Sequence, residues 1–115
     1  MRTTQRKGDI ACSRAIAKFT ALGYDVSIPF TESAAYDLVV DANGELFRVQ
    51  VRYCSTRQVP LRRVHSNSQG YVVKKTQDNA YDWLYIFKST GEEYLIKRCL
   101  SNRNSIVPRL EHLLD

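Results

Sequence analysis

Between Tyr36 and Tyr53 apolar and polar positions alternate on both sides of a single break, Asn43-Gly44. That dipeptide is the strongest short-range hairpin signal, because a type I′ turn needs positive φ at both central residues and Asn and Gly tolerate it best. Placing the turn there sets the register. Ala42 faces Glu45, and the pairs run back through Asp41 with Leu46, Val40 with Phe47, Val39 with Arg48, Leu38 with Val49, Asp37 with Gln50 and Tyr36 with Val51. Cross-strand partners share a face. Tyr36, Leu38, Val40, Phe47, Val49, Val51 and Tyr53 are thus expected on an apolar face, and Asp37, Arg48, Gln50 and Arg52 on the other.

Residues 7–22 place Ile10, Ile16, Ala17 and Phe19 among small residues, which predicts a helix lying on a sheet and ending at Gly23. Tyr24 to Phe30 alternates and predicts a strand that Pro29 confines to an edge or an end. Residues 55–70, rich in Arg, Ser, Gln and Asn and bounded by Pro60 and Gly70, read as a loop or irregular excursion. A second strand pair follows, Trp83–Lys88 and Tyr94–Lys97, joined by Ser89 to Glu93. Residues 106–114 predict a short terminal helix with Pro108 in its first turn. The order helix, strand, hairpin, basic segment, strand pair and helix predicts an α/β (α+β) fold, a mixed β-sheet flanked by helices.

At 115 residues the chain has room for one core, so residues 1–115 are expected to form a single domain. A net charge of +5 and a pI near 9.3 favour a polyanionic partner, nucleic acid or an acidic membrane surface. No apolar run is long enough to span a bilayer, and the start Met-Arg-Thr-Thr-Gln-Arg-Lys lacks the apolar stretch of a signal peptide, so the expected setting is intracellular and cytoplasmic. Cys12, Cys54 and Cys99 are odd in number and widely spaced, which argues against a zinc site or disulfide framework and for reduced thiols.

The chemistry concentrates on the polar face of the first hairpin. Asp37 opposite Gln50, with Arg52 two residues on, has the shape of a metal-dependent nuclease site: oxygen ligands for Mg²⁺ beside a cation for the scissile phosphate. Taken alone, Asp37 also reads as a strand-end aspartate that caps a turn or pairs with Arg48 or Arg52, and Gln50 as a polar residue on a solvated face.

Lys-Gly-Asp-Ile-Ala at residues 7–11, Gly-Tyr-Asp-Val-Ser-Ile-Pro-Phe at 23–30, Tyr-Asp-Leu-Val-Val-Asp at 36–41 and Phe-Arg-Val-Gln-Val-Arg at 47–52 resemble the PD-(D/E)XK nuclease superfamily. Within it they are most similar to the small homing endonucleases of bacterial group I introns, related in fold to Holliday-junction resolvases. The second half matches loosely, through Tyr-Asp-Trp-Leu-Tyr-Ile-Phe and Tyr-Leu-Ile. The resemblance implies a restriction-endonuclease-like core and a site of helix glutamate, hairpin aspartate, strand glutamate or glutamine, and lysine. Position by position these roles fall on Cys12, Asp37, Gln50 and Arg52. Glutamine is common there in the intron branch. Cys12 and Arg52 depart from the pattern: a thiol is a soft ligand that offers Mg²⁺ little, and a guanidinium stays protonated where a lysine can act as a base. Cleavage is therefore expected to be impaired or lost, with Mg²⁺ as the cofactor, held by Asp37 and Gln50, if activity survives.

The segment after the site strand supplies further candidates for nucleic-acid contact. Arg48, Arg57, Arg62, Arg63, Lys74 and Lys75 suit phosphates, and Gln58, His65, Asn67, Ser68 and Gln69 can hydrogen-bond phosphates or base edges. Double-stranded DNA is the expected partner, with structured RNA as the alternative, as for an intron-splicing helper. So small a chain reads few base pairs, and the resemblance implies a homodimer or homotetramer, with Tyr81, Trp83 and Tyr85 or Leu110, Leu113 and Leu114 as candidate contacts.

Overall fold

The computed structural model describes residues 3–61, 63–67, 70–74, 79–100 and 103–115, and of 63–67 and 70–74 the backbone alone. Helix α1 (Thr3–Ala21) lies across a six-stranded sheet. Its strands are β1 (Asp25–Ser27), β2 (Leu38–Ala42), β3 (Glu45–Cys54), β7 (Trp83–Lys88), β8 (Glu93–Ile96) and β10 (Leu113–Leu114), neighbours in that order. Two short pairs stand apart from it: β4 (Val59–Pro60) with β9 (Ser105–Ile106), and β5 (Arg63–Asn67) with β6 (Gly70–Lys74).

The first hairpin has the expected register from Leu38↔Val49 to Ala42↔Glu45, with Asn43 at φ 58° and Gly44 at φ 91°. Asp41 Oδ1 accepts the Gly44 N–H at 2.8 Å and closes the turn. The step that makes the sheet mixed is β3 against β7, which run parallel from Val49↔Trp83 to Cys54↔Lys88. A parallel central strand is covered on both faces and is apolar throughout. Every residue of β7 from Trp83 to Phe87 is buried.

Alternation along β3 and β7 divides the core in two. Toward α1, Leu38, Val40, Val49, Trp83, Tyr85 and Phe87 pack against Ala11, Ala15 and Phe19. Toward the other face, Leu84, Ile86 and Ile96 meet Val59, Leu61, Tyr81, Leu100 and Ile106. That second layer contains no helix among the described residues; β4, β9 and irregular chain build it.

Several expectations are corrected. Ala11 and Ala15, not Ile10 and Ala17, face the sheet: small side chains let the helix axis approach, while Ile10 and Ala17 are exposed. The first strand is only three residues, and Ile28 and Phe30 lie exposed beyond it. Tyr36 is absent from the α1 face and packs with the second cluster, under the Arg48 guanidinium at 5.9 Å. The segment read as irregular contains β4 and the β5–β6 hairpin. The terminal helix is reduced to a 3₁₀ turn at Leu110–His112, because nine residues with an internal proline make a marginal helix and Leu113–Leu114 gain ladder bonds on β8. Tyr81, Trp83 and Tyr85 are buried in the core and present no free surface, whereas Leu110 and Leu113 are exposed.

Candidate functional site

The site grows from the place where β2 begins. The Asp37 N–H donates to Val49 O at 2.8 Å, and its carboxylate Oδ2 accepts the Val51 N–H at 2.8 Å. Asp37 is thus bonded on either side of Gln50, and its side chain substitutes for a ladder acceptor as the chain leaves β3. This is why Tyr36 turns to the opposite face. The Asp37 carboxylate caps the β3 ladder and not a turn, and that bond positions it beside the Gln50 backbone.

Gln50 is 7 % exposed, so it does not sit on a solvated face. Arg52 lies two residues further along β3 on the same face. Its Nε is buried, and its charge is close enough to Tyr81 to favour the ionised phenol, opposing the larger effect of burial, which raises that hydroxyl's pKa. The Tyr81 hydroxyl accepts the Leu100 N–H at 3.1 Å. Arg52 as a whole is half-buried, so the cation of the candidate site rests against the second layer without being enclosed by it.

Cys12 reaches the same neighbourhood from α1. Burial pushes its thiol pKa upward, and the charges of Asp37 and then Asp9 push it further. A thiol whose pKa is raised above its ordinary value stays protonated at neutral pH. The helix position that the resemblance assigns to an acid is thus close enough to Asp37 to feel its charge, and it holds a thiol.

Mg²⁺ takes hard oxygen ligands and binds through one or two carboxylates. Asp37 and Gln50 offer oxygens of that kind and would hold the ion. Cys12 adds none, and among the described residues no three His, Cys, Asp or Glu side chains converge to hold a metal. The donor set carries one negative charge toward a cation, and a bound ion would supply polarisation of a phosphate oxygen.

Arg48 does not pair with Asp37. Its Nε and Nη2 donate to Asp82 Oδ2 and Oδ1, each at 3.2 Å, and its backbone N–H donates to Oδ2 at 2.8 Å. The Asp82 N–H returns a bond to Arg48 O at 2.8 Å. Asp82 is held below the usual carboxylate range, first by the hydrogen bond from Arg48, against a smaller opposing effect of desolvation. The pair clamps the start of the parallel β3–β7 ladder next to the site. Sequence reasoning missed Asp82; its position one residue before a fully apolar strand is the signal that a strand-end acid was needed.

Of the other candidates, Arg57 and Gln58 are exposed on the turn after β3, where Gln58 Nε2 donates to Ser105 Oγ at 2.5 Å. Arg63, His65, Asn67 and Lys74 lie on the β5–β6 hairpin, whose register sets Arg63 opposite Lys74, while their side chains fall outside the description. Arg62, Ser68, Gln69 and Lys75 lie outside the described residues.

A second polar cluster is structural. The buried Glu93 accepts a hydrogen bond from Tyr85 Oη at 2.5 Å and faces Lys18 at 3.7 Å and Arg14 at 3.9 Å. Burial, then the bond to Glu93, raises the Tyr85 pKa strongly. The cluster ties α1 to β8 across the first core.

Comparison with known proteins agrees with this geometry. The solved structure of a bacterial homing endonuclease, I-Ssp6803I, superposes with a TM-score of 0.78 at 26 % identity, covering 91 % of this chain and 77 % of that one. No curated protein matches the chain. The sequence profile of the PD-(D/E)XK endonucleases matches residues 2–105. Helix, hairpin aspartate and mixed sheet together with that match place the chain in one family: it belongs to the PD-(D/E)XK endonucleases.

Proposed function

We propose that this protein is an intracellular DNA-binding member of its family, descended from an intron-type homing endonuclease, in which strand cleavage is impaired or lost. The observation that carries the reading is Cys12: the helix position beside Asp37 holds a protonated thiol where a second metal-binding carboxylate would reinforce the ion. Arg52 adds to it. A guanidinium grips phosphate through a fixed fork of donors but does not release a proton at working pH, so Arg52 serves binding and not base chemistry. Each such displacement costs about 10²-fold in rate, on the order of 3 kcal/mol. The likeness to I-Ssp6803I, a homing endonuclease, supports duplex DNA over RNA as the ligand.

The test compares the parent with Cys12→Glu/Arg52→Lys on a randomised duplex library with Mg²⁺ or Mn²⁺, scoring cut ends and retained DNA separately. Retention by both with cut ends only from the double variant is the expected result. Cut ends from the parent that vanish in Asp37→Ala would show a working Mg²⁺ endonuclease in which Arg52 replaces lysine. Retention of structured RNA in preference to duplex DNA would move the function to an RNA-binding splicing helper.

A further inference from the structure

Among the described residues, positive charge also gathers away from Asp37. A groove of about 1010 Å³ opens at the carboxyl ends of β3 and β7, walled by the turn at residues 55–58, the β7–β8 turn, Arg98, Arg103 and residues 105–112. Arg57, Lys88, Arg98, Arg103 and Arg109 line it. Only Glu92 and Glu111 oppose them, leaving three net positive charges of the chain's +5 around one concavity.

Both acids are already engaged. Glu92 accepts hydrogen bonds from Thr90 Oγ1 and Tyr94 Oη, each at 2.7 Å, and Glu111 lies 3.5 Å from His112. Among the described residues, no carboxylate stands within ion-pair distance of Arg57, Arg98, Arg103 or Arg109, and all four are exposed. Like charges gathered in a concavity repel one another and focus a positive potential outward, an arrangement that an anion with repeated charges relieves.

The wall is held in shape before any ligand arrives. Lys88 Nζ donates to the carbonyls of Thr56 and Arg57, and the Ser89 N–H donates to Cys54 O at 2.9 Å. Gln58 bridges to Ser105, and Val59 pairs with Ile106, so the turn bearing Arg57 is tied to the segment following Arg103. Such preorganisation lowers the ordering cost of binding. Small-molecule sites are mostly apolar with a few polar groups, and this lining is the reverse.

We propose that this groove is a second seat for nucleic-acid phosphates, separate from the Asp37–Gln50–Arg52 site; the assignment rests on the nucleic-acid reading above. Gln50, Arg52 and Cys54 share one face of β3, and four residues of strand carry the chain about 13 Å from Gln50 to the lip of the groove. At about 3.4 Å per base step, a duplex engaged at Gln50 reaches the groove within roughly four steps, and one engaged at Arg52 within about two. Forked guanidiniums suit phosphate oxygens, and the contacts carry no base information, so the groove anchors the backbone in any sequence.

The test is fluorescence anisotropy with labelled duplexes of about two helical turns and two unrelated sequences across a salt series, for the parent, Arg57→Gln/Arg103→Gln and Arg98→Gln/Arg109→Gln. Thermal unfolding of each confirms its fold, and the two pairs on different parts of the wall serve as substitutes for each other. Each lost phosphate contact lowers the slope of log affinity against log salt by about 0.9, so a pair lowers it by about 1.8. Affinity for both sequences falls together. A parent that binds duplex while both pairs keep its slope overturns the groove and leaves the DNA-binding reading intact. A parent that binds no nucleic acid overturns both. Groove-dependent binding to phosphatidylserine vesicles without binding to DNA overturns the assignment in favour of a membrane surface.

Discussion

Replacing Asp82 with alanine is expected to destabilise the fold more than replacing Arg48, although the two form one ion pair. Each side chain is 37 % exposed, so solvent screens the pair and its coupling is worth about 0.2–1 kcal/mol. Arg48→Ala loses that coupling and the stacking of the guanidinium over Tyr36, about 0.5 kcal/mol more. Asp82→Ala loses the coupling too, and it strips the Arg48 backbone N–H of its 2.8 Å acceptor at the start of the parallel ladder. Leaving a part-buried donor unpaired costs about 1–3 kcal/mol. The expected losses are therefore about 1 kcal/mol for Arg48→Ala and roughly 2–3 kcal/mol for Asp82→Ala, with a double-mutant coupling of about 0.2–1 kcal/mol. Urea unfolding of the parent, both single variants and the double variant, read at constant slope, measures all three quantities. A loss from Arg48→Ala equal to or greater than that from Asp82→Ala would falsify the view that the carboxylate acts chiefly on the backbone.

The same pair sets an acid limb. Arg48 holds Asp82 below its unfolded value near ~3.9, so its stabilisation is complete above that value and is lost as pH falls through the lower folded one; stability titrated from about pH 6 to about pH 2 should fall less steeply in Arg48→Ala than in the parent. Gly44→Ala should cost about 1–2 kcal/mol in thermal unfolding from the positive φ alone, since a Cβ there meets nothing within 4 Å, and an unchanged midpoint would show that the turn relaxes freely. Phe19→Ala, which empties a fully buried site against Trp83 and Tyr85, should cost about 3–5 kcal/mol by the same measurement. Alkylation of Cys12 by iodoacetamide at about pH 8, followed by residue-resolved mass spectrometry, should be slower than that of a free thiol and should accelerate in Asp37→Asn; an unchanged rate would separate the two groups in space.

Local chemistry is the legible part of this fold. Asn43-Gly44 dictates its own turn, and the turn dictates the register from Leu38↔Val49 to Ala42↔Glu45. Gly23, at φ 90°, closes α1 where a helix-ending glycine is expected. Tyr36 escapes this reading because alternation continues only while the ladder does, and the Asp37 carboxylate replaces the ladder there. Alanine carries too little hydropathy to announce a buried face, so Ala11 and Ala15 are overshadowed by Ile10. Val64, Val72 and Val73 are strand formers that the surrounding Arg, Ser and Asn conceal. The pairing of Asp82 with Arg48 and the groove lie beyond local reading, since parallel pairing and the meeting of residues 55–58 with Arg98, Arg103 and 105–112 join segments that no short period connects.

The parallel pairing of β3 and β7 has an evolutionary consequence. Strands running the same way require the chain to leave one end of the sheet and return to the other, so a crossover between Cys54 and Trp83 is compulsory. Its contents are far less constrained. Only Val59, Leu61 and Tyr81 are fully buried among its described side chains, and doubling the length of such a connection costs only about 0.6 kcal/mol in closure entropy. Substitution, insertion and loss can therefore accumulate in the arginine-rich stretch while the sheet and the residues around Asp37 stay fixed. A lineage built this way can vary its crossover faster than it changes how it folds.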